Sequence, residues 1–245
     1  MKAVKRTIAI GAATFVVALI ILFPARVLYQ WTAPVHVQVN GISGTVWNGS
    51  AAEGTVSGIY FRNLDWQFRP LALARGQLAY RVRLEPAGGF VEGEAGFSFG
   101  GTVAVKNLNA ALSLGDAVQV AMMAGVNADV TLQLDRLELE DGWPTQIQGT
   151  VGVSDLSIRN LAPTPIGSYQ AEFQPGEDAI VATVEDTSGV LELAGTLRLT
   201  PDKDYSLIGR VGARNDAPES VTQQLRLLGS PDSRGLREFR FEGSL

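Results

Sequence analysis

Alternation is the feature of this chain that most restricts its fold. In Gln77-Leu78-Ala79-Tyr80-Arg81-Val82-Arg83-Leu84 and in Val130-Thr131-Leu132-Gln133-Leu134-Asp135-Arg136-Leu137-Glu138-Leu139, apolar and polar residues take turns. A period of two sends successive side chains to opposite faces of a strand, so each segment builds a sheet with one dry and one wet face. The pattern returns at Val35-His36-Val37-Gln38-Val39, where His36 reads as a polar residue on a strand face. It returns again over 149–158, 169–173, 179–184, 190–199, 205–211 and 238–243. Turn formers punctuate these runs at Asn48-Gly49, Gly88-Gly89, Gly100-Gly101, Asp141-Gly142, Pro175-Gly176, Ser188-Gly189 and Pro201-Asp202. Strands joined by short turns, with few helices between them, give an antiparallel meander and not a βαβ fold.

The N-terminus obeys a different rule. Residues 7–25 carry no formal charge, and nineteen residues at the helical rise span roughly 28 Å, close to a bilayer's hydrocarbon core. Lys2, Lys5 and Arg6 precede the run, which the positive-inside rule places on the cytoplasmic side. A cleaved secretory signal is the competing reading. It wants a shorter apolar core and a small-x-small exit, whereas Phe23 stands where a small residue is needed and Trp31 spoils the next chance at Ala33. The expectation is a single-pass anchor over 7–25, with a cytoplasmic tail at 1–6 and an external β-rich domain at 26–245. Arg26, Tyr29 and Trp31 suit the membrane–water interface, Arg26 by snorkelling and the aromatics by sitting half wet.

Charge and side-chain inventory narrow the function. Setting aside Lys2, Lys5 and Arg6 leaves 17 of the 20 basic residues against 25 acidic ones, a net of −8 for the external part. An acidic domain without a basic stripe is a poor nucleic-acid binder, because phosphates need neutralising. No cysteine is present, which removes thiol nucleophiles, thiolate metal sites and disulfides. One histidine, His36, leaves no histidine cluster for a metal.

Two external stretches read as helix. Asp216-Ala217-Pro218-Glu219 resembles a capping arrangement leading into Val221, Leu225 and Leu228, with Gly229 as the stop. Residues 116–123 offer a second, shorter apolar face through Ala117, Val118, Ala121 and Met122. Gly101-Thr102-Val103, Gly149-Thr150-Val151 and Gly195-Thr196-Leu197 repeat one device, a glycine leading a strand, at unequal spacings. They describe an elongated sheet grown by hairpins, whose apolar face must be covered by a second layer, a helix or a ligand.

Catalysis requires groups of tuned proton affinity converging in a pocket. Glu138 with Glu140, and Glu92 with Glu94, alternate with apolar residues and read as solvated strand faces. Asp202-Lys203-Asp204 is too short for a calcium loop. No catalytic residue, metal or cofactor is expected. The candidate structural or interaction residues are Trp47, Asn48, Gly49 and Trp143, with Trp47 placed against the core just before the Asn48-Gly49 turn.

The segment Gly41-Ile42-Ser43-Gly44-Thr45-Val46-Trp47-Asn48-Gly49-Ser50-Ala51, shortly after the N-terminal run, resembles the type II secretion system protein N family. Residues 132–139, Gly142-Trp143-Pro144, Gly149-Thr150-Val151 and Gly195-Thr196-Leu197-Arg198-Leu199 fit as well, so the resemblance covers essentially the whole chain. It implies a non-enzymatic inner-membrane accessory component of a Gram-negative secretion machine, with a periplasmic β domain and other secretion subunits as partners. The chain is also distantly similar to periplasmic sheet proteins of the AsmA type. That likeness implies a groove with an apolar interior that binds or transfers lipid.

Overall fold

The computed structural model describes residues 2–32, 37–56, 58–98, 100–115, 125–159, 161–162, 164–176 and 178–244, with side chains undescribed at 2–7, 9 and 75. Val35, His36 and the helix expected over 116–123 lie outside the described residues. Two helices open the chain, α1 (Lys2–Ile21) and α2 (Ala25–Thr32). The strands are β1 (Val37–Asn40), β2 (Ser43–Gly44), β3 (Asn48–Val56), β4 (Ile59–Phe68), β5 (Gln77–Pro86), β6 (Gly89–Ser98) and β7 (Val103–Leu114). They continue as β8 (Val126–Glu140), β9 (Trp143–Ile158), β10 (Gly167–Pro175), β11 (Ile180–Gly189), β12 (Leu191–Leu199), β13 (Asp204–Ala213) and β14 (Arg237–Ser244). A 3₁₀ turn, Pro70–Arg75, joins β4 to β5, and α3 (Glu219–Arg226) precedes β14.

All 14 strands of the described residues belong to one antiparallel sheet, in sequence order apart from β2, which pairs only with β3. Among the described residues the two-layer alternative therefore does not form: the hairpins extend one sheet instead of folding back into a second.

Register keeps one face apolar from end to end. Leu132, Leu134 and Leu137 of β8 stand between Ala110, Leu108 and Val105 of β7 and Val151, Gly149 and Ile147 of β9. Trp66 faces Val82 and Phe68 faces Tyr80, while at the far end Leu193 and Leu197 face Val211 and Leu207. The other face carries charge, with Arg81 paired to Glu94 at 3.1 Å and Arg83 to Glu92 at 2.9 Å. Such exposed pairs contribute at most about 1 kcal/mol each, so the apolar face holds the fold together.

That face is half-buried without a second layer because the sheet bends. Asn63, Asn107 and Asp155 adopt positive φ where the register slips, as asparagine and aspartate can in a bulge. Trp143, at the start of β9, donates its indole N–H to Thr200 O at 2.9 Å, beyond the end of β12. Three strand spacings in a flat sheet would hold these residues roughly 14 Å apart, so this margin curls.

The C-terminal end of the apolar face is plugged. Val221 of α3 packs with Ala162 and Ile166, and Leu225 packs with Val211 and Phe239. The helix begins as expected but without the expected cap. Pro218 occupies the N-cap with no side-chain hydrogen bond, so Asp216 and Glu219 form no capping box. Burial of Val221 and Leu225, not capping, holds α3 in place.

A turn after α3 aims β14. The Asp232 carboxylate accepts the N–H groups of Arg234 and Leu236 at 2.8 and 2.9 Å. These bonds, that to Leu236 first, hold its pKa below the usual carboxylate value. A depressed folded-state pKa stabilises fully above the unfolded value of about 4 and loses that contribution as pH falls through the lower folded value. The side-chain carboxyl of Asp232 should therefore titrate below pH 3.8 by NMR. Asp232→Asn should lose less of its urea resistance than the native chain between pH 5 and pH 2.

Candidate functional site

Side chains from distant positions converge where α1 gives way to the sheet. Helix α1 stops at Ile21, short of the expected end of the uncharged run, because Pro24 cannot continue it and starts a new direction into α2. A helix end leaves carbonyls without partners. Here the loop between β2 and β3 supplies them. Trp47 donates its indole N–H to Ile20 O at 2.7 Å, Val46 N–H reaches Phe23 O at 3.0 Å, and Pro24 forms an isolated bridge with Thr45. The Trp47 ring rests on Phe68, centroids 4.9 Å apart, and Phe68 rests on Tyr80 at 5.5 Å. Trp47 thus ties the helical elbow to the aromatic rows of β4 and β5.

The turn that presents Trp47 is not the Asn48-Gly49 turn expected from the sequence. Thr45 closes it: its N–H reaches Asn48 O at 2.9 Å, and its hydroxyl accepts the Asn48 N–H at 3.1 Å. Asn48 and Gly49 are then already the first residues of β3. Gly49 is needed for space. A Cβ there would lie 2.4 Å from the Trp66 ring and 2.5 Å from Ser43 O. Trp66 uses that room to donate its N–H to Thr45 O at 3.1 Å.

Tyr29, expected at a membrane interface, is bound into the sheet. Its hydroxyl donates to Val37 O at 3.0 Å and accepts Val39 N–H at 2.9 Å, so it serves main-chain groups of the outer strand β1. Trp31 is 72% exposed, its ring 5.9 Å from that of Phe23, and Arg26 is exposed on α2. Between α2 and the sheet lies an apolar pocket of about 260 Å³, lined by Ala25, Leu28, Tyr29, Val39, Val46 and Trp66.

Trp143 lies on the same margin of the sheet as Trp47, as the register Phe97–Val103–Leu139–Pro144 shows, but β9 is five strands from β4. The structure does not bring the two together. Sequence reasoning missed Phe23, Pro24 and Thr45, although a proline inside an otherwise uncharged run was a legible break.

Chemistry elsewhere is dispersed. A pocket of about 490 Å³ sits beneath the 3₁₀ turn and is lined by Arg69, Gln77, Glu94 and Lys106, among others. Glu94 is already shared by Arg69 at 3.5 Å and Arg81 at 3.1 Å. Burial raises the Tyr169 hydroxyl, with Asp186 adding to it, but Asp186 is engaged by Arg214 and by Leu193 N–H. Among the described residues no group of three or more histidine, cysteine or acidic side chains is placed to hold a metal. Also among the described residues, no helix is long and apolar enough to cross a membrane, so the fold leaves the expected span unestablished.

Comparison with known proteins agrees with a full-length relationship. The chain is 24% identical over 246 residues to the type II secretion system protein N of Aeromonas hydrophila, covering 96% of this chain and 97% of that protein. It is 23% identical over 256 residues to the protein of the same name from Vibrio cholerae serotype O1, covering 98% and 100%. A third, from Pectobacterium carotovorum, is 23% identical over 234 residues. No solved structure matches. The family model described as type II secretion system (T2SS), protein N matches residues 36–240, most of the sheet, and the chain belongs to that family.

Proposed function

We propose that this chain is a non-enzymatic accessory component of the type II protein secretion system, held in the inner membrane by residues 7–25. Residues 1–6 face the cytoplasm and 26–245 form a periplasmic scaffold that binds other secretion subunits. Family membership over 36–240 carries the reading. Two features of the chain support its finer parts. Helix α1 exposes Ile8, Ile10, Phe15, Val16, Leu19 and Ile20, each at least 50%, and an apolar helix with no protein cover suits a lipid environment. Trp47 then joins that helix to the sheet, as a scaffold held beside a membrane partner would need. Deleting the gene and assaying release of secreted enzymes tests the proposal. Secretion should fall, the full chain should restore it, and residues 26–245 exported without the anchor should not. Undiminished secretion in the deletion strain would overturn it.

A second reading has its own observation. The cover that α3 gives lies at the C-terminal end of the sheet and reaches back only to Leu156 and Ile158 of β9, and a sheet face covered in this way at one end suits an AsmA-like envelope protein that binds or transfers lipid through a groove. Solvent extraction of the purified chain, followed by mass spectrometry, decides it: stoichiometric lipid supports this reading, and its absence removes it.

A further inference from the structure

The two outer strands of the sheet are treated differently. On β1, the Tyr29 hydroxyl occupies the main-chain groups of Val37 and Val39. On β14, at the opposite edge, no described strand or side chain takes up the outer side. The strand runs eight residues, Arg237–Ser244, in unbroken register with β13 from Ser244 opposite Asp204 to Arg237 opposite Val211. It has no bulge, proline or lysine to keep it from pairing, and the charges it does carry, Arg237, Glu238, Arg240 and Glu242, alternate in sign, so they oppose some partners and suit others. Such an edge is a template for another strand, and its side chains choose which.

We infer that β14 pairs antiparallel with β14 of a second copy of this chain, about a two-fold axis at Phe241. On one face of β14 stand Glu238, Arg240 and Glu242, and on the other Phe239, Phe241 and Gly243. With the axis at Phe241, Arg240 of each copy stands opposite Glu242 of the other. Within one strand Arg240 and Glu242 already meet at 2.6 Å, so pairing joins two such couples into a ring of alternating charge. On the other face the two Phe241 rings, each 57% exposed, cover one another. Other registers are worse. An axis at Arg240 sets arginine against arginine and Glu238 against Glu242. An axis at Phe239 also sets Glu238 against Arg240, but it sets Arg237 against Phe241 and places the junction where α3 already covers Phe239. The charges exclude the axis at Arg240 and the cover of Phe239 by α3 excludes the axis there, which leaves one register and an isologous dimer. This inference is independent of the proposed role in secretion.

The absence of cysteine makes the test clean. Residues directly opposite in an antiparallel pair have Cα atoms roughly 4.5–5.5 Å apart, within disulfide range. Phe241→Cys in the full-length chain, oxidised in membranes, should give a disulfide-linked dimer as the main product. Ile208→Cys should not, because Ile208 is similarly exposed at 45% but lies one strand further in. Adding Arg240→Glu to Phe241→Cys should cut the dimer at least fivefold, and adding Glu242→Arg as well should restore it. Phe241→Cys remaining monomeric, or linking only to a protein of another mass, would overturn the inference. Light scattering of the native chain in detergent gives a second reading, where a dimer that Arg240→Glu converts to monomer supports it and a native monomer at micromolar concentration refutes it.

Discussion

Val221→Asp should destabilise the chain by about 3–5 kcal/mol, the cost of leaving a charge buried without a partner. Val221 is 2% exposed and packs against Ala162 and Ile166, with Leu156, Ile158, Leu161, Val190 and Leu191 around them. The members of that cluster offer the carboxylate neither a cation nor a side-chain hydrogen-bond donor. Val221→Ala, which removes only methyl groups, should cost about 1–2 kcal/mol. The difference measures charge burial separately from lost packing. A loss of the larger size is a substantial fraction of the 5–15 kcal/mol that holds an ordinary domain together. It acts where this fold has least reserve, since one sheet without a second layer relies on α3 to cover its C-terminal end. Two readouts follow, a lower urea midpoint and faster tryptic cleavage after Arg226 in α3. If neither changes, α3 does not stabilise the sheet.

Much of the sheet was legible because its largest strands obey the simplest rule. In β8, Val130, Leu132 and Leu134 alternate with exposed Asp129, Thr131, Gln133 and Asp135, and the observed burial follows the same beat. β6 was hidden because its apolar side is partly glycine and alanine. Gly93 lies opposite Val82 and Ala95 opposite Tyr80, so the neighbouring strand supplies the bulk that β6 lacks. β4 was hidden by its bulge at Asn63, which breaks the period in the middle of the strand. Binary pattern says that one face is dry but not what covers it, so one curled sheet and two packed layers read alike. At the candidate site, Trp47 stood out as an aromatic anchor. Its acceptor did not, because Ile20 is 27 residues away and only the break at Pro24 brings its carbonyl within reach. The Asn48-Gly49 pair misled for a related reason: the glycine answers the approach of the Trp66 ring, which no local rule anticipates.

In the proposed role Trp47→Ala should have the largest effect on function, because it removes the side chain that ties the helical elbow to the aromatic rows of the sheet while Tyr29 and Val46 keep their own contacts. The substitution removes the N–H that satisfies Ile20 O and the ring that rests on Phe68. Full burial of such a ring is worth about 3–5 kcal/mol, and Trp47 is half-buried, so a loss of about 2–3 kcal/mol is expected. Most of it should appear locally. Neither the bond to Ile20 O nor the contact with Phe68 involves the sheet beyond β5, which should unfold at a nearly unchanged urea midpoint, whereas trypsin should cut at Arg26 several times faster. Trp47→Phe keeps a ring over Phe68 and loses only the hydrogen bond, a net change of about 1 kcal/mol. It should restore most of the protection. Function then separates two uses of the N-terminal segment. If α1 merely delivers the sheet to the membrane, Trp47→Ala at normal chain level should secrete as well as the native protein. If the sheet must be held at a set angle to its membrane partners, secretion should fall severalfold, with Trp47→Phe between the two. The second outcome follows from the geometry, because Trp47, Val46 and Thr45 all contact the elbow through one short turn, and a simple tether would require none of them.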